Sequence, residues 1–316
     1  MWRRSEETDS GWIGAGADDD LDRRMADEDV ALDLAQPHVM TALGPIEPGA
    51  LGVTLAGEPI ADLFVTDAGE RTAIDPKHAL LAELADAHAI GVRSLVVSGG
   101  GIGGAVLPGV RWLAERIPVH VVVLHRVDFA GPDSLLEPDE AHSFTWGGLE
   151  VTTEAVRQGA AKALARNMRA TGLAARIHAD RADDAVDAVI RLRNAGVDVS
   201  RIWVGNLDWV VASAAAAQVL NLGATIAFDR LLGDSRQPVA TLVGSLVEAG
   251  WADRLLFSSG AGHADQLRVR GHPTGIAMAL DVFPLVLMDA GVAAQDVRRG
   301  LIDNPARLLT IHGEDR

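Results

Sequence analysis

The sequence predicts an α/β protein that folds as a (β/α)₈ barrel of the TIM type, with a disordered acidic tail ahead of it. Short runs rich in β-branched residues alternate with Ala- and Leu-rich stretches that have helical spacing. Eight such units fit into roughly 260 residues, the usual size of this barrel. The strand candidates are mostly apolar, which is typical of a parallel sheet covered by helices. A doubly wound open sheet is the alternative, because a sequence does not show a topological switch point.

Residues 1–36 form the predicted tail, and residues 37–316 form the predicted barrel domain. Between Met1 and Ala35 there are eleven acidic residues and four arginines, a local balance of −7 within a net charge of −16. This segment has little apolar periodicity, so it cannot bury enough surface to offset its ordering entropy. We therefore predict a solvated tail, with binding to a partner as the alternative.

The barrel elements follow from the alternation of the two patterns along the chain. The strand candidates are Leu51–Leu55, Ser94–Ser98, Val119–His125, Ser143–Trp146, Ala174–His178, Ile202–Asn206, Thr225–Phe228 and Arg254–Ser258. The helix candidates are Pro76–Ala89, Leu107–Arg116, Thr152–Thr171, Asp183–Ala195, Trp209–Leu222, Val239–Ala249, Thr274–Ala290 and Ala294–Leu301.

Composition excludes several classes of site and partner. The chain has no cysteine, which excludes disulfides, thiolate metal sites and cysteine nucleophiles. Its net charge of −16 argues against nucleic acid or an anionic membrane surface as partner. No apolar run is long enough for a membrane span, and the N-terminus does not have the pattern of a secretory signal. We expect a cytoplasmic protein.

A glycine-rich segment supports the open-sheet alternative. It satisfies Gly-x-Gly-x-x-Gly at Gly99, Gly101 and Gly104, between a strand and a helix candidate, and Asp128 follows the next strand. However, a full strand–helix unit precedes it, and glycines also let a barrel loop turn tightly under a ligand. We favour such a loop over nucleotide binding, and a loop without any ligand is the third alternative.

Five stretches in order carry a family resemblance that extends from about Val39 to Leu309. They are Thr41–Ile46 with Leu51–Leu55, then Val197–Asp208, Ala227–Arg230, Ala252–Ser258 and Asp303–Leu309. Together they resemble the phosphotriesterase family of metal hydrolases. The resemblance implies a barrel whose C-terminal mouth holds two divalent metals, bound by histidines, a carboxylated lysine and an aspartate.

Most positions that the resemblance assigns to metal ligands hold other residues here. Gly57 and Pro59 replace two histidines on the first strand, and Thr145 is the best match for the lysine of the fourth. His178 persists on the fifth strand, Asn206 replaces the sixth-strand histidine, and Gly260 replaces the aspartate. Strand alternation points Glu58 away from the side that positions 57 and 59 share. A catalytic zinc normally needs three protein ligands, so we expect neither metal to bind and predict no cofactor.

The remaining polar residues predict a metal-free site. Its catalytic candidates are His178, Asp180 and Asp208, because a His–Asp pair at strand ends can act as a general base. Its substrate-binding candidates are His125, Asp128, Asn206, Asp229, Arg230, Ser259 and His263. Three alternatives stay open: a relocated metal site built from the His and Asp candidates, a His178 that is only a relic, and a structural Asp229–Arg230 ion pair. No Gly-x-Ser-x-Gly elbow surrounds Ser258 and Ser259, so a nucleophilic serine is disfavoured.

Two functions of different class follow. The first is a hydrolase-like enzyme that acts without metal on a small ester, lactone or phosphate ester; the substrate is implied only by the resemblance. The second is a non-catalytic protein that keeps the pocket for ligand binding or as a scaffold, because fold does not fix function. The predicted partner is a small molecule rather than nucleic acid or membrane, and a homodimer is compatible with the sequence.

Overall fold

Eight parallel strands form one sheet that curves into a barrel, as predicted. The computed structural model describes residues 34–60, 76–98, 107–127, 146–232 and 236–312. An antiparallel hairpin, β1 and β2, precedes the barrel strands β3 to β10, which pair in strict chain order. The strands are β1 Val39–Thr41, β2 Gly44–Ile46, β3 Thr54–Glu58, β4 Ser94–Val97, β5 His120–Arg126, β6 Gly148–Thr152, β7 Ala175–His178, β8 Ile202–Gly205, β9 Thr225–Phe228 and β10 Leu255–Phe257.

Side chains close the barrel between its first and last strands. β3 and β10 lie in contact, but the described residues show no backbone ladder between them. Instead, the amide of Gly57 donates to the hydroxyl of Ser258 at 3.1 Å, and the Glu58 carboxylate accepts from the chain that follows β10. This seam therefore depends on one buried glutamate.

Helices cover the outside of the sheet. The α-helices are Pro76–Ala89, Leu107–Ala114, Thr153–Ala155, Ala161–Thr171, Ala182–Asn194, Ser213–Asn221, Arg236–Glu248, Met278–Asp281, Phe283–Asp289, Ala294–Arg298 and Asn304–Leu309. Two π-helical stretches, Val156–Ala160 and Arg299–Asp303, join neighbouring helices. The predicted helix Thr274–Ala290 is divided, because Pro284 begins a new helix at Phe283. None of the described helices is long and apolar enough to cross a membrane.

The fourth barrel strand lies later in the chain than predicted. It is Gly148–Thr152, and Trp146 precedes it, so the prediction of Ser143–Trp146 was wrong for Trp146; residues 143–145 lie outside the described ranges. Gly147 and Gly148, at the start of this strand, are glycines because neighbouring strands pack closely against them. A Cβ at Gly148 would lie 2.6 Å from Leu124 Cδ2, and one at Gly147 would lie 2.5 Å from Val122 Cγ1. The first strand is also shifted, to Thr54–Glu58.

Buried side chains form two layers that alternate along the strands. Val121 and Val123 join the large cluster between sheet and helices, whereas Val122 and Leu124 belong to a smaller cluster inside the barrel. This is the period of two expected for strands. The inner cluster also contains Trp203, at the centre of β8. Beyond it, toward the carboxyl ends of the strands, the inward positions become polar, and there the candidate site lies.

Two predictions fall largely outside the described residues. Almost all of the predicted tail, residues 1–36, lies outside the described residues, and so does the glycine-rich segment Gly99–Gly104. Where the described chain begins, His38 pairs with Ile311 through two backbone hydrogen bonds of 3.1 and 2.8 Å. The chain that enters the barrel is therefore fixed against the chain that leaves it.

Candidate functional site

A cavity of about 490 Å³ opens at the carboxyl ends of the barrel strands. This is the end of the barrel where active sites of the fold are found. Of the residues predicted from the sequence, the cavity brings together His178, Asn206, Asp208, Asp229, Arg230, Ser259 and His263. Gly57, Pro59 and Gly260 also line it, as the resemblance implied for the former ligand positions.

Two of the described site residues, His125 and Asp180, are not among the residues that line the cavity. His125 alternates with the inward residues of β5, and its ring packs edge-on against Trp146 with the centroids 4.6 Å apart. Asp180 lies at the rim with 78% of its side chain exposed. Asp128 lies outside the described residues. The relocated metal site is not assembled in the described part of the chain, where no three metal-binding side chains converge.

His178 is held from both sides at the end of β7. Its Nε2 lies 2.9 Å from the side-chain amide of Asn206, which also donates to Asp180 Oδ1 at 2.9 Å. Its Nδ1 lies 3.4 Å from Nη1 of Arg176. Burial, and then the positive charge of Arg176, lower the pKa of His178 from its ordinary value of 6.5. The imidazole is therefore neutral at neutral pH and can accept a proton.

Asn206 takes a backbone conformation that few residues adopt. Its φ is 67°, the one positive φ of a non-glycine residue in the described ranges. Asparagine tolerates this left-handed region better than most residues. The conformation lets its backbone N–H donate to both carboxylate oxygens of Asp229, at 2.8 and 3.0 Å. The residue that orients His178 is thus itself anchored on the next strand.

Sequence reasoning missed the buried arginine at the centre of this site. Arg176 donates from Nη2 to Asp229 Oδ2 at 2.7 Å and from Nη1 to the carboxylate of Glu150. All three side chains are at most 4% exposed. The signal available was the spacing: Arg176 lies two residues before His178, and the two therefore share one face of β7.

The interpretation of Asp229 and Arg230 as an ion pair with each other was wrong. Asp229 points inward and pairs with Arg176, whereas Arg230 is exposed and donates to the backbone oxygen of Asn206 at 3.5 Å. The two residues follow β9, and the first is buried whereas the second is exposed, so their side chains do not meet. Asp208 is also engaged locally, because its carboxylate accepts from the amides of Val210 and Val211 at 3.0 and 3.3 Å.

Ser258 and Ser259 donate to Glu58 rather than serving as nucleophiles. Their hydroxyls lie 2.7 and 2.8 Å from its carboxylate, which also accepts from the amides of Ser259, Gly260 and Ala261. Burial raises the pKa of Glu58 above 4.5, and the hydrogen bonds from both serines act in the opposite direction. The Glu58 carboxylate is therefore engaged by the chain that follows β10.

Two positions that the resemblance matches to metal ligands leave little room for larger side chains. A Cβ at Gly260, where φ is +78°, would overlap the backbone oxygen of Asp229. A Cβ at Gly57 would lie 3.1 Å from Asp229 Oδ2. On the fourth barrel strand Glu150 points inward, and Arg176 already engages it. Thr145, the match predicted for the lysine, lies outside the described residues.

The model of the phosphotriesterase family matches residues 142–309, more than half of the chain. A lactonase from Listeria monocytogenes superposes with a TM-score of 0.72, 17% identity and coverage of 87% of this chain and 99% of that one. A phosphotriesterase from Mycobacterium tuberculosis gives a TM-score of 0.68, 20% identity and coverage of 86% and 98%.

A third solved structure is similar over the same region. It is a resiniferatoxin-binding protein from Rhodobacter sphaeroides, with a TM-score of 0.72, 18% identity and coverage of 86% of this chain and 94% of that one. At these identities the similarity shows the fold alone. A comparison with curated protein sequences finds no match.

Proposed function

Because the chain belongs to the phosphotriesterase family, we propose that it is a hydrolase-like protein whose barrel mouth acts on a small ester, lactone or phosphate ester without a resident metal. Structural neighbours that are a lactonase and a phosphotriesterase support the hydrolase-like part of this proposal. The substrate classes come from these relatives. The net charge of −16 favours a small molecule over nucleic acid or an anionic membrane as partner.

The donor set at the mouth does not fit the two metals of the family. A catalytic zinc takes three protein ligands and a water molecule, at about 2.0–2.3 Å. Gly57, Pro59 and Gly260 offer no side-chain donor, and Glu150 is bound to Arg176. His178 is then the one matched ligand position that keeps a metal-binding side chain, and the neutral amide of Asn206 beside it is a weak metal ligand. No catalytic step in this proposal uses a metal.

The neutral, partly exposed imidazole of His178 is the observation that carries the proposal. It lines the cavity with 29% of its side chain exposed, and a lowered pKa keeps it unprotonated. Such a group can take a proton from a water molecule that attacks a carbonyl or phosphoryl centre. Asp180 Oδ1, at 3.6 Å from Nε2, would stabilise the imidazolium that forms. The side-chain amide of Asn206 contacts both His178 and Asp180, and it holds the imidazole ring in position.

A non-catalytic ligand-binding protein is the second candidate, and one observation favours it. The hydroxyls of Ser258 and Ser259 are committed to Glu58, and both nitrogens of His178 already lie near hydrogen-bond partners. The site therefore lacks an evident nucleophile of its own. One structural neighbour is a resiniferatoxin-binding protein, which is compatible with this second function.

A paired binding and hydrolysis screen tests the proposal. The protein is incubated with lactones, carboxylic esters and phosphate esters, with EDTA or with added zinc or manganese, while turnover and melting temperature are measured. We expect hydrolysis that EDTA does not abolish and that His178→Asn lowers about 100-fold or more. The control is His312→Asn, at the end of the described chain and away from the cavity. Ligand-induced stabilisation without turnover would instead support the binding protein.

A further inference from the structure

We infer that the guanidinium of Arg176 is a built-in cation standing where a divalent metal would otherwise be held, and that its side chain keeps such ions out. The three groups around it are Glu150 on β6, His178 on β7 and Asp229 directly after β9. This inference concerns what occupies the barrel mouth, so it holds whether the pocket hydrolyses its ligand or only binds it.

The charges of this cluster favour a cation at its centre. Glu150 and Asp229 are 2% and 1% exposed and carry two negative charges, against one positive charge on Arg176. Buried carboxylates need a partner of opposite charge, since desolvation of an isolated ion is costly. Without the guanidinium, the two carboxylates would attract a dication more strongly than any other group in the mouth.

The guanidinium of Arg176 fills a buried space that no other side chain enters. The Nε–H is buried, and no acceptor for it exists among the described residues. Gly205, on the strand between Arg176 and Asp229, has no side chain, and a Cβ there would lie 2.9 Å from Nη2. Arg176 also lines the cavity. Truncating it would therefore open a polar space that is continuous with the mouth.

The chemistry of the three surrounding groups is that of a metal site. Two carboxylates and one imidazole suit zinc or manganese, with bonds of about 2.0–2.2 Å to zinc. At present the donors are spaced around a planar guanidinium, which is larger than a metal ion. This spacing explains why no three of them converge on one point in the described part of the chain. Without the guanidinium, both carboxylates would face one space beside His178.

Replacing Arg176 tests the inference without requiring a known substrate. Full-length Arg176→Ala is compared with the wild-type chain in zinc chloride or manganese chloride, by elemental analysis after desalting and by thermal unfolding. We expect the variant to retain about one metal ion per chain and its Tm to rise by about 5 °C or more once free metal reaches about 100 times Kd. The wild-type chain should show neither effect.

Matched variants test whether Glu150 and Asp229 hold the metal that Arg176→Ala retains. Adding Glu150→Gln or Asp229→Asn to Arg176→Ala should abolish retention of the metal, because each removes a charged ligand. Arg230→Ala removes an exposed arginine at the same mouth, and this variant should not gain metal. Metal uptake by Arg230→Ala to the same level would overturn the inference, since the effect would then be one of net charge alone.

Refolding in the presence of metal ions tests the inference if Arg176→Ala does not fold by itself. If Arg176→Ala is insoluble, it is refolded with zinc, with manganese and with EDTA, and the soluble yield is compared. Recovery with a divalent ion but not with EDTA supports the inference. A soluble variant that retains no metal overturns it, and so does a variant that neither ion recovers.

Discussion

Arg176 and Asp229 reach across one intervening strand to form an ion pair of 2.7 Å that is almost wholly shielded from solvent. Arg176 lies on β7 and Asp229 directly follows β9, and Gly205 on β8 separates them without a side chain of its own. The same aspartate also accepts from the backbone of Asn206, which orients His178. The pair therefore links the geometry of the proposed general base to three consecutive strands.

Removing the charge of Arg176 should strongly destabilise the barrel. Arg176→Met keeps much of the apolar stem but leaves the carboxylates of Glu150 and Asp229 buried without their partner. Breaking a buried ion pair in this way costs about 3–5 kcal/mol of unfolding free energy. Urea unfolding of the metal-free variant and the wild-type chain measures the difference. The matched control Arg230→Met alters an exposed arginine and should change the unfolding free energy by no more than about 0.5 kcal/mol. Equal effects of the two substitutions would contradict the buried cluster.

Gly205→Ala should disturb the same cluster by steric overlap, without removing a charge. Its new Cβ would overlap Asp229 Oδ2 and lie 2.9 Å from Arg176 Nη2. Overpacking of this kind costs about 1–3 kcal/mol of unfolding free energy. Gly49→Ala is the control, because no heavy atom lies within 4 Å of the Cβ it would add. A Gly205→Ala variant as stable as Gly49→Ala would show that the ion pair does not need this gap.

Glu58→Gln should weaken the seam between β3 and β10. The carboxylate accepts from two hydroxyls and three amides, whereas a glutamine would direct an NH₂ group at some of those donors. Leaving buried donors unsatisfied costs about 1–3 kcal/mol each. Chemical denaturation measures the loss, with exposed Glu248→Gln as the control. If both variants unfold at the same denaturant concentration, the seam does not depend on the carboxylate.

His178 should titrate below its ordinary pKa of 6.5, which gives stability a definite pH dependence. Between the folded pKa and 6.5 the folded chain binds fewer protons than the unfolded chain. The contribution of the neutral ring is therefore fully present above pH 6.5 and is lost as the pH falls through the folded pKa. The stability difference between wild-type and His178→Asn should shrink over that window. A histidine NMR titration gives the midpoint directly, and Arg176→Gln should raise it. A midpoint above 6.5 would contradict the proposed neutral base.

Much of the scaffold could be predicted because strands and helices leave periodic signals. β4, β5, β7, β8 and β9 lie within about two residues of their predicted positions, as expected for apolar runs in a parallel sheet. β6 was misplaced because it begins at Gly148 after Gly147, and glycine is rare in strands. Both are glycines here because Val122 and Leu124 pack closely against them. A steric requirement imposed by neighbouring strands is not visible in a local pattern.

The candidate site could be predicted only in part, for a related reason. His178, Asn206 and Asp208 were found because they follow strands whose carboxyl ends meet. Arg176 and Glu150 lie within strands, and their pairing joins residues 26 positions apart. Neither residue suggests function by itself, and the misplaced fourth strand concealed that their side chains face each other.

Metal content tests the central claim most directly, namely that the barrel mouth is organised around a guanidinium instead of divalent metals. The wild-type chain is purified from medium supplemented with zinc and manganese, desalted and subjected to elemental analysis, and its Tm is measured with and without each ion. We predict well under one metal ion per chain and no rise in Tm, because linkage stabilises a fold only through a site in the folded state. Reproducible binding of one or two metals per chain, abolished by His178→Ala, would contradict the account and return the metal-assisted mechanism of the family to this protein.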